Sequence, residues 1–90
     1  MWDVYERKLV QKVLKRTPKE VLIRYEAWKR IVEFQSPSGL RRIKGFHDEA
    51  LKGKWKGYRS SRLGSQWRVI YKVQKNFCKV YVFEINSHKY

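Results

Sequence analysis

Only one cysteine, Cys78, occurs in the chain, so no internal disulfide can form. Its neighbours Phe77, Lys79, Val80 and Tyr81 predict a strand position and a packed, inert thiol. Zinc spacing is absent as well, because the two histidines, His47 and His88, stand far apart. Acidic residues are scarce, eight against twenty-two Lys and Arg, and Asp48-Glu49 alone is too sparse for a magnesium site. No cofactor is expected. Nor does a Gly-rich phosphate loop follow a strand, or a serine sit at a strand-to-helix elbow as in the hydrolases. No apolar run approaches the ~18–20 residues of a membrane span. The opening Met1-Trp2-Asp3-Val4-Tyr5 also lacks the shape of a signal peptide. The expected location is the cytoplasm, with no membrane partner.

What remains is a folded, basic chain. Ninety residues predict a single domain, 1–90, with one modest core. A hydrophobic content of 42% with 16% aromatics is that of a packed protein and not of a disordered basic tail. The net charge is +14, and it is unevenly spread. Residues 39–71 carry nine Lys and Arg against two acids, so half the excess sits in the middle third. A clustered excess on a folded domain predicts a polyanionic partner, nucleic acid ahead of an acidic protein.

Periodicity predicts an α+β fold. Trp2 to Tyr5 alternates and suits a short first strand. From Arg7, Leu9, Val10, Val13 and Leu14 recur at helical spacing, to a stop near Arg16. Thr17-Pro18-Lys19-Glu20 then reads as a helix start, with Thr17 as cap and Glu20 completing a capping box. Val21, Leu22, Tyr25, Trp28, Ile31 and Val32 form the core stripe of this second helix, which should stop around Gln35. All five glycines fall between Gly39 and Gly64, a loop-rich stretch. Tyr58–Leu63, Gln66–Val73 and Cys78–Ile85 follow as strands. In the middle one, Trp67, Val69, Tyr71 and Val73 share one face, and Arg68, Ile70 and Lys72 the other. The expected architecture is an N-terminal helical hairpin packed on one face of a small, curved antiparallel sheet, with the other face polar and basic.

Chemistry has few candidates. Lys52, Lys54, Lys56, Arg59, Arg62 and Arg68 fall within seventeen positions, interleaved with Trp55, Tyr58 and Trp67. Basic groups position a phosphate backbone, and exposed aromatics can stack on unpaired bases. The chain ends Ser87-His88-Lys89-Tyr90. Metal-free RNA scission needs a base for the 2′-hydroxyl, cations for the crowded phosphorane oxygens and an acid for the leaving 5′-oxygen. His88, Tyr90 and Arg68 suit those roles, although a frayed terminus with an idle His and Tyr accounts for the same residues.

The segment Leu51 to Val73 resembles the core motif of the RelE/ParE toxin superfamily. Here Gly53-Lys54-Trp55 leads into the strand Trp67-Arg68-Val69-Ile70-Tyr71, and the His88-Lys89-Tyr90 ending resembles the HigB, YoeB and YafQ branches of mRNA interferases. The resemblance covers residues 39–90 in pattern. It implies a type II toxin, a metal-free endoribonuclease that enters the ribosomal A site, cuts mRNA and leaves a 2′,3′-cyclic phosphate and a 5′-hydroxyl. It further implies a cognate antitoxin masking the basic face. Under it, Arg68 contacts the scissile phosphate, His88 and Tyr90 stand near the terminal catalytic positions, and Arg62 stands where some relatives have His. Arg59 stands where others have Lys, and Lys52, Lys54 and Lys56 serve as RNA-backbone contacts. His47 and Glu49 are the candidates for an upstream base. Gln66 replaces the Asp of one branch, and Tyr90 lies one place further from His88 than in the His-Tyr ending. Strand alternation puts Arg59 and Arg62 on opposite faces, which favours Arg62 as the one that reaches the phosphate. Two further readings share these features: a ParE-like topoisomerase poison and a non-catalytic RNA-binding module.

Overall fold

The computed structural model describes residues 1–87, so the expectations placed on His88 and Tyr90 lie outside the described residues. The chain runs β1 (Asp3–Glu6), α1 (Lys8–Leu14), α2 (Lys19–Gln35), β2 (Glu49–Ala50), β3 (Arg59–Arg62), β4 (Trp67–Gln74) and β5 (Lys79–Ser87). The five strands form one sheet in the order β1-β5-β4-β3-β2. The helical hairpin and the α+β class are as expected. The sheet is mixed rather than antiparallel throughout, because β1 pairs parallel with β5, Val4 opposite Val80.

Helix α2 buries most of the anticipated stripe, with Ile31 half-buried against the core and Leu22 outside it. Val21, Tyr25, Trp28 and Val32 recur at three- and four-residue spacing and face the sheet. They meet Val69 and Tyr71 of β4 and Val80, Val82 and Ile85 of β5 in one core cluster. Trp28 packs edge-on against Tyr71, with ring centroids 5.1 Å apart. Strict alternation cannot bring Val80, Val82 and Ile85 to one face, and a bulge solves this. Ile70 pairs with Glu84 and Tyr71 with Val82, so Phe83 is the extra residue on β5.

The start of α2 differs from the capping box read in the sequence. Pro18 is the N-cap, and no side chain caps the helix. Thr17 instead donates its hydroxyl back to the Val13 carbonyl at 2.8 Å, closing the end of α1. Cys78 also departs from expectation. It is exposed, with φ +50°, and ends the turn between β4 and β5. The three-residue 3-10 turn Lys75–Phe77 must be closed by a left-handed residue, and Cys78 occupies that place.

The face away from the helices is not simply polar. Trp55, Tyr58 and Phe83 form an edge-to-face cluster there, with Trp55 5.4 Å from Tyr58 and 5.6 Å from Phe83. The Arg7 guanidinium lies 4.0 Å from the Phe83 ring centre. Ile70 is fully buried yet outside the main cluster, as its alternation to this face requires.

Among the described residues no helix is long and apolar enough to cross a membrane. Two buried tyrosines give a pH-dependent stability. Burial, reinforced by bonds to Glu6 and to Asp48, raises the pKa of Tyr25 and of Tyr71 respectively. A raised folded-state pKa contributes stability that is intact below the unfolded tyrosine value, about 10, and is lost as pH climbs above it. An absorbance titration should therefore show these two phenols ionising only as the chain unfolds in alkali. Free titration of every tyrosine in the folded protein would contradict this.

Candidate functional site

The basic cleft on the open sheet face is built by cross-strand pairing. Arg62 of β3 stands opposite Arg68 of β4, and Arg68 opposite Asn86 of β5, so the three share the face turned from the helices. Ser60, Ile70 and Glu84 form the next row, with Glu49 of β2 opposite Ser60. The cleft has a volume of about 130 Å³, and His47, Glu49, Arg62 and Arg68 line it together with Ser65 and Gln66. That is room for a tetrahedral anion and a few waters.

Each side chain has an evident support. Arg68 is half-buried, and its Nε donates to Asn86 Oδ1 at 3.3 Å. Asn86 in turn donates its amide to Glu84. The fork of Arg68 is thereby steered along the sheet surface, while Arg62 is exposed. His47 ends a short 3-10 turn in the left-handed region, φ +44° and ψ +49°. Its Nε2 lies 3.9 Å from Glu49 Oε2, and both side chains are more than half exposed. Imidazole, carboxylate and two guanidinium groups thus converge on one opening.

The other sequence candidates are distributed differently. Lys52, Lys54 and Lys56 are all exposed on the loop after β2. Gly53 and Gly57, with φ of +66° and +95°, supply turns that side-chain-bearing residues resist. None of the three lysines lines the cleft. Arg59 turns to the helix side of the sheet, where its Nε and Nη2 donate to Asp48 Oδ2 at 2.9 and 2.8 Å. Burial alone would lower its pKa, but the bonds to Asp48 and Tyr71 outweigh this and hold it above its ordinary value. Arg59 is thus engaged within the fold, and Arg62 is the β3 arginine at the cleft. Trp67 packs against the main core while also lining the cleft. The last described residue of β5, Ser87, pairs with Trp67. His88 and Tyr90 follow it and lie outside the described residues.

Asp48 is the feature that the sequence did not disclose. Its side chain is fully buried. Oδ1 accepts from Ser61 at 2.6 Å and from Tyr71 at 2.5 Å, while Oδ2 takes the Arg59 fork. Ser61 also accepts the Trp28 indole N–H at 3.0 Å. The Asp48-Glu49 pair, the two acids among nine cations over residues 39–71, was the available signal. Among the described residues no group of three or more His, Cys, Asp or Glu could hold a metal ion.

No protein-family model matches the chain. No curated protein matches it either. Solved structures do. RelE in the archaeal RelE–RelB complex from Pyrococcus horikoshii OT3 is similar at TM-score 0.76 and 27% identity, over 96% of this chain and 93% of that one. The DinJ–YafQ complex from E. coli gives TM-score 0.75 and 17% identity, over 98% and 94% of the two chains. The YoeB–YefM complex from Staphylococcus aureus gives 0.73 and 14%, over 99% of both. The similarity spans both the helical hairpin and the sheet that carries the cleft.

Proposed function

Since the chain has the fold of the RelE/ParE toxin superfamily, we propose that it is the toxin of a type II toxin–antitoxin pair, acting as a ribosome-dependent, metal-free mRNA endoribonuclease. The observation that carries this reading is the convergence of His47, Glu49, Arg62 and Arg68 on one open cleft. In the proposed reaction a base, His47 or Glu49, takes the proton of the 2′-hydroxyl. The freed oxygen attacks the adjacent phosphorus, and the bond from phosphorus to the 5′-oxygen breaks. Arg62 and Arg68 stabilise the charge that accumulates on the phosphorane oxygens. The 5′-oxygen leaves with a proton from an acid, for which His88 and Tyr90 are the candidates. A 2′,3′-cyclic phosphate and a 5′-hydroxyl remain.

Primer-extension mapping of cellular mRNA after brief induction tests this reading. Discrete cuts that vanish in Arg68→Ala and in His88→Ala are expected. Intact transcripts would overturn it. DNA damage beside them would point to topoisomerase poisoning, and neither effect to a binding module.

The exposed loop lysines supply affinity in this reading. Replacing Lys52, Lys54 and Lys56 with Gln should weaken ribosome association and flatten its salt dependence, the logarithmic slope falling by roughly 0.7–0.9 per lost phosphate contact. Sedimentation with ribosomes across a salt series checks this, and an unchanged slope would remove these lysines from the RNA interface. A chain of charge +14 also needs a neutralising partner when idle. An acidic antitoxin fits, as the RelE–RelB, DinJ–YafQ and YoeB–YefM complexes suggest.

A further inference from the structure

We infer that Asp48 is a positioning residue, a buried peg that holds its two chain neighbours, His47 and Glu49, in the cleft beside Arg62 and Arg68. The inference rests on the reading of that cleft as the reaction site. Asp48 lies between two residues whose side chains are more than half exposed, yet its own is fully buried. Successive side chains of an extended segment point to opposite sides. Anchoring Asp48 on the helix side therefore turns Glu49 to the open face, while left-handed His47 closes the turn before it and brings its Nε2 within 3.9 Å of Glu49 Oε2, so that both line the cleft.

The anchor is over-determined. Four hydrogen bonds from Arg59, Ser61 and Tyr71 fix the carboxylate to β3 and β4. Through Ser61 the network continues to the Trp28 indole on α2. The segment before it is tied through the Phe46 side chain, which is buried in the core, and less through its backbone. Phe46 and His47 make only local backbone bonds, to Ile43 and Lys44, and the Gly45 carbonyl accepts from Arg24 at 3.2 Å. His47 is also held in the left-handed region, which side-chain-bearing residues keep only where the surroundings enforce it. The 3-10 turn Lys44–Phe46 sets that conformation, and the peg fixes where the end of this turn meets the sheet. General-base chemistry is sensitive to small displacements, and a shift of about 1 Å can cost roughly 10²-fold in rate.

The test uses variants that each loosen the peg by one donor, Tyr71→Phe and Ser61→Ala, alongside Asp48→Asn. Cleavage of mRNA on ribosomes should fall about tenfold or more in kcat, with KM within roughly twofold of the wild type. In a His47→Ala, Glu49→Ala background the residual cleavage by folded Tyr71→Phe and Ser61→Ala protein should fall no further, because the peg then has no reacting group to position. Equal losses in both backgrounds would show a merely structural role and overturn the inference, as would full activity of all three variants. A second readout is independent of cleavage. The His47 ring resonances, assigned with His47→Gln, should shift and average toward those of a free histidine in folded Tyr71→Phe protein. Unchanged resonances would overturn the peg. If wild-type protein leaves mRNA intact, the nuclease reading fails, and this spectrum still decides whether Asp48 holds His47.

Discussion

Asp48→Ala should strongly destabilise the protein. Removing one partner of a buried ion pair costs about 3–5 kcal/mol, because the remaining charge and donors stay in place without compensation. Here the replacement strands the Arg59 fork, the Ser61 hydroxyl and the Tyr71 hydroxyl together. A domain of this size has a total stability of roughly 5–13 kcal/mol, so the loss is a large share of it. Urea denaturation followed by tryptophan fluorescence measures the change. A loss below about 1 kcal/mol would mean that water replaces the carboxylate readily. Replacing both charged partners, Asp48→Ala with Arg59→Ala, should recover part of the loss, since no unpaired charge remains.

That same carboxylate marks where the sequence stops being informative. Helix α2 is legible because seventeen residues repeat one apolar stripe, and each repeat reinforces the register of the next. Strand β4 is legible for the related reason that eight residues alternate cleanly enough to separate Arg68 from Tyr71. Strand β2 is two exposed residues, Glu49 and Ala50, and so short a piece carries no period. The parallel pairing of β1 with β5 is equally hidden, since four residues specify a strand but not its partner. Asp48 takes its partners from β3 and β4, remote in sequence, and only folding brings them to one carboxylate.

The turns misled for a different reason. Thr17 followed by Pro18 matches a helix start in composition, but Thr17 can equally close the preceding helix, and the short gap between α1 and α2 favours that bond. Cys78 reads as a strand residue by its neighbours, whereas the turn geometry demanded a left-handed residue at that point. The bulge at Phe83 was unreadable as well, yet it reconciles Val80, Val82 and Ile85 with a single core. Arg62 and Arg68 needed none of this. Their alternation on strands joined by a short turn suffices to put them side by side.

That pairing makes Arg68→Ala the sharpest functional test. Two like charges stand directly opposite across β3 and β4, an arrangement that costs stability in the free protein. The Asn86 side chain keeps one Arg68 nitrogen occupied and leaves the rest of the fork toward the cleft. An anion between the arginines would relieve the repulsion, and the relief would be greatest when negative charge peaks in the transition state. Removing Arg68 should therefore lower kcat for mRNA cleavage by about 10²–10³-fold while ribosome binding falls far less. The free protein should melt at the same temperature or higher, since a repulsive pair has gone. Arg68→Lys should rescue poorly, as a single ammonium cannot reproduce the fork that contacts two phosphate oxygens at once. Measured together, a lost rate with retained binding and an unlowered melting point assign Arg68 to the reaction. A parallel loss of rate, binding and melting temperature would assign it to the fold.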